Sequence, residues 1–117
     1  IALNEKYDRF SAHWTPKIIA ELNDQYIKLA KVKDEMIWHS HAEEDELFIV
    51  QRGTLIMDFR DHTETVSPGE ILVVPKGVEH RPRTNGEEVW LLLVEPKSTK
   101  HTGDIQHEMT VAQQDWI

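Results

Sequence analysis

The chain contains no cysteine. Disulfides and thiolate metal sites are therefore excluded, and the absence fits a reducing compartment. Positive charge is also scarce: 13 Lys and Arg stand against 21 Asp and Glu, a formal net charge of -8 at pH 7. Nucleic-acid binding rests on phosphate neutralisation by basic side chains, so this balance argues against a polyanionic partner. No apolar run approaches the roughly 20 residues that span a bilayer. The opening residues, Ile1 to Glu5, have no basic region followed by an apolar one and do not read as a signal peptide. There is no internal repeat, no low-complexity segment and no linker rich in Pro, Gly or Ser. These absences predict a soluble, cytoplasmic protein with neither a nucleic-acid nor a membrane partner. Its 117 residues suit one compact domain, residues 1–117, with enough length to bury one core.

What is present reads as strand after strand. Asn4 to Phe10 is irregular or a single helical turn, and Lys17 to Leu22 fits helix or strand equally. Tyr26 to Val32 alternates apolar and basic residues, the pattern of a half-exposed strand. Met36 to His39 leads into a His-x-His pair. Leu47 to Val50 and Leu55 to Phe59 flank Arg52-Gly53, which reads as a hairpin turn. A turn at Arg60 to His62 precedes a short strand ending at Val66. Ile71 to Val74 and Val89 to Val94 read as buried apolar runs, ended by Pro75 and by Glu95-Pro96. Thr110 is placed to cap a closing helical turn running to Trp116. Many short strands separated by turn signals predict an all-β sandwich or barrel, its core at about residues 25–95.

The chemistry concentrates between His39 and His80. Two histidines at a spacing of two on a strand, His39 and His41, share a face, while Ser40 points away. Glu46, Phe48 and Val50 share a face of the next strand. Pro75-Lys76-Gly77 forms a tight turn that sets His80 at the start of a further segment, with Gly77 supplying a backbone angle that a Cβ disfavours. Three imidazoles and one carboxylate can therefore converge on one divalent transition metal: Mn, Fe, Co, Ni, Cu or Zn. Four protein ligands leave coordination positions for water or a substrate. Glu43, Glu44 and Asp45 are alternatives to Glu46 in principle, but parity and offset favour Glu46, and the other three read as a solvated acidic turn.

These residues and offsets resemble a small single-domain cupin of the conserved β-barrel type, over Trp38 to Thr84. His39, His41, Glu46 and Gly53 match the first cupin motif, and Gly69, Pro75, Gly77 and His80 match the second. Two positions depart from the family pattern: Lys33 stands where Gly is frequent before the first ligand, and Thr84 stands near the usual Asn, with Asn85 following. Neither departure touches a ligand, though both bear on loop geometry. The resemblance implies a double-stranded β-helix, or jelly-roll, barrel with short N- and C-terminal extensions. It also implies a small-molecule ligand in the barrel and pairing of barrels into a homodimer, for which the Tyr26 to Val32 strand would serve as an edge. Glu95-Pro96-Lys97 followed by Thr102-Gly103-Asp104 resembles small cupins labelled mannose-6-phosphate-isomerase-like, a label that rests on fold, and fold does not carry function.

Other candidates are set aside. His13, His62, His101 and His107 read as surface or tail histidines. Trp14, Trp38, Trp90 and Trp116 read as core or dimer-contact residues, and Trp38 has the parity that faces it away from the ligands. Arg81 and Arg83 alternate with His80 and so point to the other face. Tyr7 and Tyr26, the only tyrosines, lie away from the motifs, which disfavours a lyase with a motif-adjacent tyrosine base. The motifs offer no second acid–base group, although Glu46 can alternate between ligand and base. Three functions fit: a metal-dependent enzyme of isomerase, dioxygenase or lyase type acting on a small organic molecule, a non-catalytic module holding a metabolite or a metal, or a structural subunit whose barrel is vestigial.

Overall fold

A computed structural model of the chain describes residues 1–100, 102–103 and 113–117. One short helix, α1 (Leu3–Tyr7), precedes eight strands: β1 (Lys17–Leu22), β2 (Gln25–Val32), β3 (Glu46–Arg52), β4 (Leu55–Phe59), β5 (Thr63–Val66), β6 (Ile71–Val74), β7 (His80–Arg83) and β8 (Val89–Pro96). All strand pairs are antiparallel and fall into a five-stranded sheet, β1-β2-β8-β3-β6, and a three-stranded sheet, β5-β4-β7. The all-β expectation is borne out. Among the described residues, no helix is long and apolar enough to cross a membrane. The expected turn capped by Thr110, together with His101, Asp104 and His107, lies outside the described residues.

Alternation explains the core. Along β8, Val89, Leu91, Leu93 and Glu95 are buried, and the residues between them are half-buried. Along β3, Glu46, Phe48 and Val50 are buried, while Leu47 and Ile49 take the opposite face. These inward faces meet Leu55 and Met57 of β4 in one apolar cluster. Each large aliphatic side chain fully buried there contributes roughly 1.5–3 kcal/mol through the area it removes from water.

The structure corrects several readings of the strands. β2 is neither half-exposed nor an edge: it lies between β1 and β8, and Leu29 to Val32 are all buried. The reason is that the N-terminal segment covers its outer face. Tyr7 is buried there with Ile19 and Leu29, its hydroxyl donates to the Leu91 carbonyl at 2.6 Å, and its ring stacks on Trp90. Lys31 joins that outer layer, with Nζ over the Phe10 and Trp90 rings and bonded to the Phe10 carbonyl. The second correction concerns β6, expected to be a buried run. It is an edge of the five-stranded sheet, and Ile71 and Val73 are exposed. The other edge, β1, is covered because Ile18 exchanges backbone hydrogen bonds with Asp115 and Ile117.

The third correction concerns Arg52-Gly53. β3 and β4 do not pair as a hairpin; the chain passes there from one sheet to the other. Gly53 has φ +77°, and a Cβ would sit 2.9 Å from the Glu88 carbonyl oxygen and 3.0 Å from Val89 Cγ2. Left-handed backbone costs an L-residue about 1–2 kcal/mol, and the close carbonyl adds to it. Gly53→Ala should therefore destabilise the fold by about 2 kcal/mol or more. An unchanged urea midpoint would contradict this account of the crossover.

Candidate metal centre

His39 and His41 do not lie on a regular strand, contrary to expectation. The segment is extended but joins the sheet at one bridge, where His39 N donates to His80 O at 3.0 Å and His80 N donates to His39 O at 2.9 Å. Two of the four side chains are thus directly opposed backbone partners and emerge on one face. The alternation survives without a strand: His39 and His41 are buried and Ser40 is half-buried. Glu46 begins β3 on its inward phase. The turn before β7 is tied back to the first segment, since Gly77 N donates to His41 O at 2.7 Å and Lys76 N donates to Asp45 Oδ1 at 2.8 Å.

The four side chains meet. One nitrogen or oxygen from each of His39, His41, Glu46 and His80 lies within 4.8 Å of the others, and all four residues are buried. His41 Nε2 is 2.7 Å and His80 Nε2 3.3 Å from Glu46 Oε1. One ion at about 2.1 Å from each donor separates neighbouring donors by roughly 3–4 Å, so only small side-chain adjustments are required. The tautomers suit this role. His39 Nδ1 donates to the Ile37 carbonyl and His80 Nδ1 to the Val78 carbonyl, each at 2.9 Å. A carbonyl only accepts, so the proton is on Nδ1 and the Nε2 lone pair is left for a ligand role. His80 Nε2 and Glu46 Oε1 are buried without a hydrogen bond of acceptable geometry. The donor set and these orphaned atoms fit a divalent transition metal.

Electrostatics favours the same protonation states. Burial raises the Glu46 carboxyl, but its neighbours His41, His80 and Glu95 outweigh that and hold it well below the usual carboxylate range. Burial and the adjacent His80 push the His39 imidazole down to about 4. In metal-free protein the unfolded chain then takes up a proton at His39 near pH 6.5, while the folded state does not until about pH 4. Stability is complete above the first value and should fall by about 3 kcal/mol as pH drops through that window. Urea midpoints measured across the window for the wild type and His39→Gln test this: the wild type should slope and the variant should slope less.

Two buried charged residues were not anticipated. Glu95, at the inward phase of β8, lies beside Glu46, and its Oε1 accepts from Lys28 Nζ at 2.7 Å. Both members of this pair are about 1% exposed. Burial, followed by the Glu46 charge, raises the Glu95 carboxyl well above its ordinary value, and Lys28 offsets this only in part. The signal lay in parity, because Glu95 continues the apolar phase Val89-Leu91-Leu93. The C-terminal segment also reaches the centre. A Cβ on Gly103 would collide with the Ser40 carbonyl and touch the His39 ring at 3.2 Å, so only glycine permits this approach.

His39, Glu46 and Glu95 form part of the wall of a partly open cavity of about 40 Å³. The remaining wall is apolar, with Ala30, Val32, Phe48, Leu91 and Leu93 from the large sheet and Met36 from the segment before His39. Trp14 and Pro16 of the N-terminal segment also line it.

Of the described residues set aside from the sequence, Trp14 lines this cavity and the following lie elsewhere. Arg81 and Arg83 both bind Asp58, with Arg83 foremost in holding that carboxyl down to about 2. Trp38 is half-buried, with Arg60 and Arg81 over its ring. His13 contacts Glu88, and His62 contacts Asp61 and Glu64, all exposed. Glu43 and Asp45 are exposed, Glu44 is half-buried, and none joins the cluster. At the two departures from the family pattern, Thr84 latches the loop after Lys33: Asp34 N donates to Thr84 Oγ1 at 2.9 Å and Thr84 N donates to Asp34 O at 2.8 Å.

The profile of the family described as Cupin domain matches residues 26–104. The uncharacterized protein YdbB of Bacillus subtilis (strain 168) is 40% identical over 83 residues, covering 70% of this chain and 67% of that protein. A cupin-2 domain containing protein from Shewanella frigidimarina NCIMB 400 has a similar crystal structure, with a TM-score of 0.81 and 48% identity over 83% of this chain and 94% of that one. Protein NMB1881 from Neisseria meningitidis has a TM-score of 0.75 and 32% identity, covering 83% of this chain and 98% of its own.

Proposed function

The chain belongs to the Cupin domain family, and on that premise we propose that it is a metal-dependent enzyme that takes a small organic molecule at a divalent ion held by His39, His41, Glu46 and His80. The observation that carries this reading is the convergence of four buried donor groups, two of which, His39 and Glu46, line an adjoining cavity. When bound, a divalent transition metal supplies Lewis acidity to an oxygen of the ligand. The protein's own part is to orient the donors: the Ile37 and Val78 carbonyls hold two imidazoles in the Nε2-facing tautomer. Most of the described cavity wall is apolar, and Glu95 places a second carboxyl next to the centre, where the motifs alone offered none. In this reading residues 1–117 form one domain working in the cytoplasm.

Elemental analysis of protein purified without a metal-binding tag is the direct test. About one equivalent of a first-row metal is expected, and metal-free protein should lose ligand binding and turnover together. Binding of a metabolite to the metal-loaded protein with no chemical change would favour the non-catalytic alternative.

The reading also retains a homodimer, but moves its surface. The β6 edge, with Ile71 and Val73 exposed, supports self-pairing of the large sheet, since an open apolar edge invites another strand. Light scattering at micromolar concentration should give twice the mass of one chain, and Val73→Lys should shift it toward the monomer. A monomeric wild type would remove this part of the proposal.

A further inference from the structure

The wall of the cavity beside the centre restricts what the centre can take. Among the described residues its polar members are His39, Glu46 and Glu95; the other described lining residues are aliphatic, aromatic, Met and Pro side chains. Lys28 is tied to Glu95 at 2.7 Å, and Arg81 and Arg83 are engaged by Asp58. Glu95 Oε2 is buried without a hydrogen bond of acceptable geometry. At about 40 Å³, the cavity has room for roughly three or four water-sized groups.

Each of these facts selects chemistry. A hydroxyl moved from water against an apolar wall without a partner loses affinity by roughly ten-fold or more. Polyhydroxylated compounds therefore lose with every hydroxyl beyond those the ion and Glu95 can meet. A phosphate ester brings a second anionic group, and among the described lining residues there is no cation to receive it, while two carboxyl groups face it. An apolar tail, in contrast, gains from displacing water along Val32, Phe48, Leu91 and Leu93.

Building on the metal-centre reading, we propose that the ligand class is a short, predominantly apolar molecule with a metal-binding oxygen group, one hydrogen-bonding group that meets Glu95, and a tail of about three or four heavy atoms. Sugars, sugar acids and phosphate esters bind more weakly in this proposal, having more polar groups than the described lining residues meet. This reading runs against the mannose-6-phosphate-isomerase-like label, because such a substrate is both a polyol and a phosphate ester.

The test uses the full chain loaded with Co(II), whose visible absorption reports the ion and responds when a ligand joins it. The probes are 2-hydroxybutanoate and 2,3,4-trihydroxybutanoate, which share a carboxylate head and carbon skeleton and differ by two hydroxyls, together with glycerate 3-phosphate. The expected result is that 2-hydroxybutanoate binds more tightly than the trihydroxy acid by about ten-fold or more, with no response to the phosphate ester. Equal or inverted affinities, binding of glycerate 3-phosphate, or no binding of 2-hydroxybutanoate while Co(II) is held would each overturn the ligand class and leave the metal centre standing. Failure to bind Co(II) would overturn the metal centre and the ligand class with it.

Discussion

His80→Ala is expected to reduce the metal content of the purified protein from about one equivalent to a trace. His80 is fully buried, opposes His39 in the backbone, and has its ring oriented by the Val78 carbonyl. Loss of an outer-shell partner alone typically weakens metal binding 10–100-fold, so removing a direct donor should exceed about 100-fold. His62→Ala is the matched control, since that imidazole lies on the surface among Asp61 and Glu64 and should leave metal content unchanged. Metal content unaltered in His80→Ala would remove His80 from the donor set.

The largest stability effect should come from Lys28→Met. The side chain is replaced by one of similar length, but Glu95 is left buried and unpaired, a change that typically costs about 3–5 kcal/mol. The double variant Lys28→Met/Glu95→Leu should recover most of that loss, because a well-packed apolar pair needs no desolvation to be compensated. The effect should also depend on pH, with a definite sign. Folded Glu95 holds its proton to a higher pH than the unfolded chain does, so its contribution is favourable in acid and is lost as pH rises from about 4.5 through the folded value. Removing Lys28 widens that gap. Urea unfolding near about pH 5 and about pH 7.5 should therefore show Lys28→Met closer to the wild type at the lower value. Equal losses at both would indicate that Lys28 acts through packing and not through Glu95.

The donor set was legible because its logic is local. Period two places His39 and His41 on one face, and the same parity turns Glu46, Phe48 and Val50 inward; the structure keeps that facing even though His39 and His41 belong to no regular strand. The turn at Pro75 to Gly77 was likewise readable, and its hydrogen bonds to His41 and Asp45 bring His80 into place. Lys28 and Glu95 were not recognised, although each sits at an inward phase. A charged residue at an apolar position is assigned to solvent unless its partner is known, and these two are 67 residues apart.

By itself, the sequence determined the all-β class, the shared facing of His39 with His41 and of Glu46 with Phe48 and Val50, the convergence expected of three imidazoles and a carboxylate, and the exclusion of cysteine chemistry. These follow from backbone periodicity and side-chain chemistry, which act within a few residues. Only the tertiary structure decided that β2 is buried on both faces, that β6 is an open edge, that Gly53 crosses between sheets, and that a Lys–Glu pair and an apolar cavity adjoin the centre. Those outcomes depend on which distant segment covers a face, and covering is a non-local packing event that periodicity along one strand does not specify.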